Sequence, residues 1–137
     1  GALFGKGLGK REARKKAEEL CEFLGLSDFT RDITRMTALE IKKMEIAHAL
    51  ATQPRLLFLD EVMAGLNSDE TMEMIDLVKR IHSQGIVIGI VEHVMRVIRE
   101  LTHRVVVLEW GELIAEGPYE AVSNDPRVIT AYLGEEA

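Results

Sequence analysis

The chain has 137 residues, enough for one domain, and its 47% hydrophobic and 29% charged residues are ordinary for a soluble globular protein. A net charge of −6 argues against nucleic acid or an anionic membrane surface as the main partner, although basic residues cluster from Lys6 to Lys16. The single cysteine, Cys21, excludes an internal disulfide and a thiolate zinc cluster, and no apolar run is long enough to span a bilayer.

Residues 1–9 are rich in glycine and suggest a phosphate-binding loop. A Walker A loop needs Gly, four residues and then Gly-Lys-Ser/Thr, with a strand before it. Here Lys6 is followed by Gly7, and Lys10 by Arg11, so the pattern is not met. We expect a flexible opening segment instead.

An amphipathic helix is predicted from Lys10 onward, ending at Gly25, a residue that favours a helix C-terminus. Its apolar positions recur at helical spacing: Ala13, Ala17, Leu20 and Leu24. The basic cluster is then better explained as the solvated face of this helix than as a binding patch. Residues 28–35 are predicted to be a polar connection.

Thr37-Ala38-Leu39-Glu40 has the spacing of a capping box, which predicts the start of the next helix. A helix from Ile41 to Ala51 is predicted to follow, and Pro54 stops the chain from continuing it. The residues predicted to be in register on one side are Ile41, Met44, Ala47 (or His48) and Ala51. His48 is interpreted as a partly exposed side chain, because no second His or Cys stands at metal-binding spacing.

Four consecutive apolar residues, 56–59, lead directly into Asp60 and Glu61. Such a short apolar run is typical of a parallel strand buried on both faces, and ligands of open α/β sheets bind at the carboxyl ends of strands. Neighbouring side chains on an extended segment point in opposite directions, so we expect separate roles, one acid holding a cation and the other activating water. The same pair could also lie in a solvated loop or at a helix N-terminus.

A third helix and a second strand repeat this pattern. Asn67 or Ser68 is predicted to cap the helix, and Gly85 to end it. The predicted buried stripe is Met74, Ile75, Val78 and Ile81. Residues 86–91 form an apolar strand that runs into Glu92 and His93. Because parallel strands end at the same edge, we predict that Asp60, Glu61 and His93 lie together there.

The last third of the chain predicts a short helix, residues 94–101, and a third strand, residues 104–108. Trp110-Gly111 is predicted to turn the chain into an antiparallel partner strand, residues 112–116. Two short helices follow, the second opened by Pro126. The alternation of strands and helices indicates an α/β fold with a parallel sheet, right-handed crossovers and a hairpin at the sheet edge.

Several of these stretches resemble the ATP-binding subunit of an ABC transporter. Residues 56–61 match the Walker B motif with its adjoining catalytic glutamate, residues 64–67 match the D-loop, and residues 91–93 match the H-loop. Residues 44–50 are similar to the helix after the LSGGQ signature. The closing stretches resemble the branched-chain amino-acid importer type in particular: residues 114–117, 124–128 and 131–134.

The resemblance implies an α/β fold that is part of a P-loop NTPase, the RecA-like core of an ABC ATPase. Residues 1–52 would form part of the helical subdomain, ending in the signature helix. Residues 53–137 would form the C-terminal part of the core, with parallel strands, a β-hairpin and short helices. In the family, the adenine-stacking aromatic, the Walker A loop and the Q-loop precede the helical region, so this chain resembles the C-terminal part of a longer subunit.

The family's site residues carry over by position. Glu61 would be the general base, His93 would contact the γ-phosphate and position water, and Asp60 would bind Mg²⁺ through water. In the family two ATPase subunits sandwich ATP head to tail on transmembrane permease subunits, so the membrane is reached only through the permease, on its cytoplasmic side. The nucleotide contacts implied for the signature and D-loop are Thr37, Ala38, Leu39, Glu40 and Asn67.

Two positions depart from the family pattern. Val62 replaces the usual proline after Asp-Glu, which changes loop stiffness only modestly. Residues 36–40, Met-Thr-Ala-Leu-Glu, stand where LSGGQ is expected, so both glycines are lost. We expect the Glu40 carboxylate to repel a partner's γ-phosphate and Leu39 to add bulk, weakening that contact.

Three functions are compatible with these residues: a piece of an ABC-type ATPase that drives amino-acid import, a degenerate module that binds a permease or ATPase without hydrolysis, or an unrelated α/β binding domain. A chain without the phosphate loop lacks the main electrostatic support of phosphoryl transfer. We therefore expect that the chain alone neither hydrolyses ATP nor folds as a well-behaved monomer, since one parallel sheet edge stays unpaired.

Overall fold

The computed structural model describes residues 9–26 and 33–133. The glycine-rich opening, residues 1–8, and most of the predicted polar connection lie outside the described residues. The chain divides after Val91 into two compact units. This division is not the predicted subdomain boundary at residues 52 and 53, which stays a prediction.

The first unit contains helices α1 to α3 and strands β1 and β2. Its elements are α1 Lys10–Phe23, a 3₁₀ turn Ile33–Arg35, α2 Ala38–Leu50, β1 Leu56–Asp60, α3 Ser68–Ser83 and β2 Val87–Val91. The second unit contains α4 Met95–Leu101, β3 Val105–Glu109, β4 Glu112–Gly117, α5 Tyr119–Val122, α6 Pro126–Val128 and a π-helical turn Ile129–Leu133. In the part of the chain that the structure describes, no helix is both long and apolar enough to cross a bilayer.

Helix α1 ends as the sequence predicts. Gly25 takes a φ of 71°, the left-handed conformation that glycine adopts without steric cost. The Leu26 N–H donates to the Cys21 carbonyl (2.8 Å) and the Gly25 N–H donates to the Glu22 carbonyl (3.0 Å). This pair of bonds is a Schellman motif, which satisfies carbonyls that the last helical turn would leave without partners.

The buried side of α2 differs from the predicted stripe. The buried residues are Leu39, Lys43, Ile46, Ala47 and Leu50, so the prediction is right only at Ala47. A lysine can occupy this side because its ammonium forms an ion pair with Glu73 on α3. Lys43 interrupts the apolar residues Leu39, Ile46 and Leu50 on this side, so their common stripe is not apparent when only apolar side chains are considered.

Strands β1 and β2 are parallel, in register from Leu56 opposite Val87 to Asp60 opposite Val91. Leu57 and Leu59 are 6% and 4% exposed, whereas Leu56 and Phe58 are 50% and 71% exposed. The prediction that this strand is buried on both faces is therefore wrong for the described residues. An apolar run shows that both faces require cover, but it does not show which part of the protein provides that cover.

The exposed face of this strand pair is apolar and continuous. Its members, here called the open sheet face, are Leu56, Phe58, Val87 and Val91. Phe58 stands opposite Gly89 in the register, and a Cβ added to Gly89 would lie 2.4 Å from its ring. Glycine at this position thus lets the aromatic ring lie across the neighbouring strand.

Helix α3 begins with a capping box formed by Asn67 and Glu70. The Asn67 Oδ1 accepts hydrogen bonds from the N–H groups of Asp69 and Glu70, both at 3.0 Å, and the Glu70 Oε2 accepts from the Asn67 N–H at 2.9 Å. The predicted buried stripe of α3 is confirmed, with Leu77 in addition. Gly85, with a φ of 84°, follows the end of the helix as predicted.

Replacing Asn67 with alanine removes the acceptor for two N–H groups at the start of α3. We expect the intact protein to lose about 1 kcal/mol of unfolding free energy, while Asn67→Asp keeps most of it, because aspartate is an equally good cap. Urea unfolding without nucleotide measures the effect, with the exposed Ser83→Ala as a control. An Asn67→Ala protein as stable as the wild type would show that the cap contributes nothing.

The second unit is built on the predicted hairpin of β3 and β4, which have a bulge between Val107 and Leu108. A buried cluster of Ala115, Val122 and Val128 packs there against Val105, Val107 and Ile114. Among the described residues β3 pairs only with β4, and its place in the predicted parallel sheet stays a prediction. Periodicity identifies a strand, but it does not identify its hydrogen-bonded neighbour.

Candidate functional site

The carboxyl end of β1 brings two acidic residues to the edge of the parallel pair where β2 also ends. Asp60 stands opposite Val91 in the register, and the Glu61 N–H donates to the Val91 carbonyl at 2.9 Å. Both acidic residues are exposed. They therefore lie where an α/β sheet presents groups to a ligand, and they are not part of a helix N-terminus.

Glu61 has an unusual backbone conformation, with a φ of 46°. A residue with a Cβ is rarely left-handed, and such strain persists only where the surroundings hold it. The Glu61 carbonyl accepts a hydrogen bond from the Ala64 N–H (3.1 Å), and the Lys42 Nζ lies 3.5 Å from the same oxygen. Since the strand ends at Asp60, the argument that extended geometry points the two acids in opposite directions does not hold for Glu61.

The signature region forms the predicted capping box at the start of α2. The Thr37 Oγ1 accepts from the Glu40 N–H (3.2 Å), and the Glu40 Oε2 accepts from the Thr37 N–H (2.7 Å). Thr37 and Ala38 are exposed. Leu39 is only 8% exposed, so the expectation that its side chain adds bulk towards a partner's nucleotide is wrong.

Two lysines after the capping box were not singled out from the sequence. Lys43 is 5% exposed at its side chain and pairs with Glu73, which is 55% exposed. This pair links α2 to α3, while Lys42 links α2 to the Glu61 carbonyl. The helical spacing of Leu39, Lys43, Ile46 and Leu50 could have revealed the buried lysine, had a charged residue been allowed in the stripe.

Two candidate residues remain, Asn67 and His93, and the structure gives more information on the first than on the second. The Oδ1 of Asn67 already serves as the cap of α3, so a nucleotide contact through this oxygen would compete with two helix N–H groups. His93 is exposed and follows Val91 by two residues, in the second unit. That His93 lies beside Asp60 and Glu61 stays a prediction.

The oxygen ligands at the strand ends fit a magnesium ion held together with a nucleotide. Mg²⁺ is usually bound by one or two carboxylates, water and substrate phosphates. Asp60 offers one exposed carboxylate, and no group of three or more His, Cys, Asp or Glu that could enclose a metal occurs among residues 9–26 and 33–133. The donor set therefore suits a metal that arrives with its nucleotide.

A cleft of about 370 Å³ lies elsewhere in the first unit. Its lining residues come from the ends of helices and from the approach to the strands: Leu20, Phe23, Leu50, Gln53, Pro54, Ile81, Gln84 and Ile86. Pro54 and Ile86 precede β1 and β2, so this cleft is at the opposite end of the strands from Asp60. None of the predicted site residues lines it.

Comparison with known proteins agrees with these motifs. Residues 112–137 match the family described as branched-chain amino acid ATP-binding cassette transporter. BraF of Pseudomonas aeruginosa, a high-affinity branched-chain amino acid transport ATP-binding protein, is 34% identical over 128 residues, 92% of this chain and 50% of its own. LivG of Escherichia coli, with the same description, is 35% identical over 126 residues, 90% of this chain and 49% of its own.

The solved structures include MJ1267, an ATP-binding cassette of an ABC transporter in its ADP conformation. It superposes with a TM-score of 0.84 at 29% identity, over 93% of this chain and 52% of its own. A nucleotide-free ATP-binding cassette from an ABC transporter superposes with a TM-score of 0.85, also at 29% identity, over 97% of this chain and 55% of its own.

The fold and the strand-end motifs are those of part of an ATP-binding cassette. Over most of its length the chain is similar to ABC transporter ATP-binding proteins, among them those of the branched-chain amino-acid type, whose family model its residues 112–137 match. It spans about half the length of the curated relatives it matches. The predicted α/β fold, a partial RecA-like core, is thereby confirmed, and the hypothesis of an unrelated α/β binding domain is wrong.

Proposed function

We propose that the chain forms the C-terminal part of an ATP-hydrolysing subunit that drives the import of branched-chain amino acids. The observation that supports this most directly is the position of Asp60 and Glu61 at the carboxyl edge of β1, with the Glu61 backbone hydrogen-bonded to the end of β2. BraF and LivG, which are 34% and 35% identical to this chain over the matched residues, are transport ATP-binding proteins by name.

Each strand-end residue has a separate role in this proposal. Asp60 would hold Mg²⁺ through water, Glu61 would accept a proton from the attacking water as general base, and His93 would position that water beside the γ-phosphate. Bound MgATP supplies the phosphoryl group and the positive charge that stabilises its transfer. Phosphoryl transfer depends mainly on positioning and charge stabilisation, so the strained and hydrogen-bonded Glu61 backbone has a direct use: it fixes the direction of the carboxylate.

The partners in this proposal are a second ATPase subunit and a membrane permease. Two subunits bind head to tail, so that residues 37–40 and Asn67 of one subunit face the nucleotide held by the other. The subunit lies on the cytoplasmic face of the inner membrane and reaches the membrane only through the permease. The net charge of −6 is consistent with a protein partner rather than nucleic acid.

The open sheet face needs cover, which we propose comes from the remainder of the subunit. Leu56, Phe58, Val87 and Val91 present a continuous apolar surface that a folded domain normally covers. The parallel pair also has outer edges whose N–H and C=O groups lack strand partners among the described residues. We propose that the N-terminal part of the subunit, with its phosphate loop, covers this face and continues the sheet.

Mixing the 137-residue chain with a separately expressed N-terminal part of the subunit tests the proposal. We expect phosphate release from the mixture and none from either part alone, because the phosphate loop and the general base are then on different chains. A stable mixture that binds nucleotide without releasing phosphate would favour the degenerate partner-binding module. Turnover by the 137-residue chain alone, abolished by Glu61→Gln, would contradict the proposed division of the site.

The signature region gives a further prediction. Glu40→Gln removes a negative charge from the start of α2 but keeps a side-chain oxygen for the Thr37 N–H. We expect ATP turnover of the intact subunit to rise about fivefold, because the Glu40 carboxylate would no longer repel the partner's γ-phosphate. A charge interaction at a helix N-terminus is worth about 1 kcal/mol, which corresponds to this factor. Glu45→Gln, on the exposed side of the same helix, is the matched control. Unchanged turnover with Glu40→Gln would show that the region is already adapted to a carboxylate.

A further inference from the structure

The hairpin of the second unit ends in an exposed tip that combines one aromatic and two acidic residues. Glu109, Trp110, Gly111 and Glu112 form this tip, here called the acidic-aromatic tip. Trp110 is the single tryptophan of the sequence and is 98% exposed. Isolated exposed apolar residues are normal on protein surfaces, so exposure alone indicates nothing. The local geometry and charge of this tip are the informative features.

The turn geometry is unfavourable for tryptophan. Trp110 and Gly111 have φ values of 49° and 85°, which is the pattern of a type I′ turn with two left-handed residues. Asparagine, aspartate and glycine are the usual residues at the first of these positions, because a large side chain on a left-handed backbone is disfavoured. With its side chain almost fully in solvent, Trp110 gains no core packing that would compensate for this strain.

The charges at the tip are unfavourable as well. Glu109 and Glu112 are directly opposite each other in the strand register, an arrangement that destabilises a hairpin when the charges are alike. Within the described ranges neither carboxylate is in an ion pair. At the other end of the same hairpin, Arg104 pairs with Glu116 at 2.6 Å. The uncompensated charge is therefore specific to the tip.

We propose that the acidic-aromatic tip binds an arginine-containing segment of a partner protein. A guanidinium can stack on the face of an indole, which is the strongest aromatic partner for a cation, and the two carboxylates can accept its N–H groups or pair with a neighbouring cation. The same carboxylates repel phosphates, which disfavours nucleic acid and anionic lipid as the occupant. Binding would relieve the charge repulsion, and the contact with the indole would offset the cost of the strained Trp110 backbone. This proposal does not depend on ATP hydrolysis.

Fluorescence anisotropy of a labelled hexa-arginine peptide, titrated with the intact subunit, tests the proposal. We expect Trp110→Ala to weaken binding about tenfold and Trp110→Phe to weaken it less, because the indole provides the stronger cation–π contact. Glu109→Gln with Glu112→Gln is expected to weaken binding at least as much as Trp110→Ala. The control Glu12→Gln with Glu22→Gln removes the same charge from the exposed side of α1 and should leave the affinity within about twofold. Hexa-lysine should bind more weakly than hexa-arginine.

Two results would overturn the proposal. If the control pair weakens binding as much as the tip pair, the peptide responds only to the net charge of the protein. If acrylamide quenches the intact subunit no more than its Trp110→Phe variant, the indole is covered within the subunit and is not a docking group. Thermal unfolding of each variant verifies folding, and Trp110→Asn, which suits the turn, should be at least as stable as the wild type while losing peptide affinity.

Discussion

Replacing Glu61 with glutamine should lower the steady-state ATP turnover of the intact subunit by about 10²–10⁴-fold, the usual effect of losing a positioned general base. Glutamine has nearly the same shape as glutamate, so the bonds from the Glu61 backbone to Val91 and Ala64 are expected to remain. What is lost is the ability to accept a proton from the attacking water. Phosphate release measures the effect, and nucleotide binding, measured in parallel, should be retained.

Asp76→Asn is the matched control for Glu61→Gln, because it also exchanges an exposed acid for its amide but lies on α3, away from the strand ends. Its turnover should equal that of the wild type. If Glu61→Gln turns over ATP at the wild-type rate, the general base is another residue. If both variants lose activity equally, the effect comes from charge or folding and not from the chemistry of the site.

Removing Glu73 should destabilise the protein more than removing its partner Lys43. Glu73→Ala leaves the buried Lys43 ammonium without its carboxylate, and we expect a loss of about 1–3 kcal/mol, at the low end of values for buried pairs because Glu73 is partly exposed. Lys43→Met keeps an unbranched side chain of similar length and leaves Glu73 in solvent. Its expected cost is less than about 1 kcal/mol.

Urea unfolding of the intact subunit measures these differences, with Asp76→Ala on the exposed side of α3 as control. The double variant Lys43→Met with Glu73→Ala should be close in stability to Lys43→Met alone, because no buried charge is then left without a partner. Equal losses for Lys43→Met and Glu73→Ala would show instead that the attraction between the two charges outweighs the cost of burying the ammonium.

The features that could be predicted from the sequence are those determined within a few neighbouring residues. The capping box at Thr37, the cap of α3 at Asn67 or Ser68, the glycine after α1 and the hairpin turn at Trp110 each depend on local hydrogen bonds or local backbone conformation. The Walker B and H-loop resemblances are likewise short ordered motifs. Their positions along the chain were sufficient for the α/β fold and for the family.

The features that could not be predicted depend on groups distant in the chain. Lys43 is buried because of Glu73, thirty residues later, and no local pattern specifies that pair. Phe58 is exposed because cover for its face does not come from the described elements, whereas its apolar neighbours suggested burial on both sides. The left-handed conformation of Glu61 is set by contacts with Val91, Ala64 and Lys42, and the residue type itself gives no sign of it.

At position 61, the residue that best suits the left-handed backbone differs from the residue that the proposed activity requires. Glycine at position 61 would adopt the same conformation without the steric conflict of a Cβ, so the most accommodating residue for the fold is one that carries no catalytic group. With Glu61 as the proposed general base, mutational drift towards a more stable chain would therefore lead to an inactive one. Only selection for turnover would keep a carboxylate at this position, and a lineage freed from that selection should lose it early.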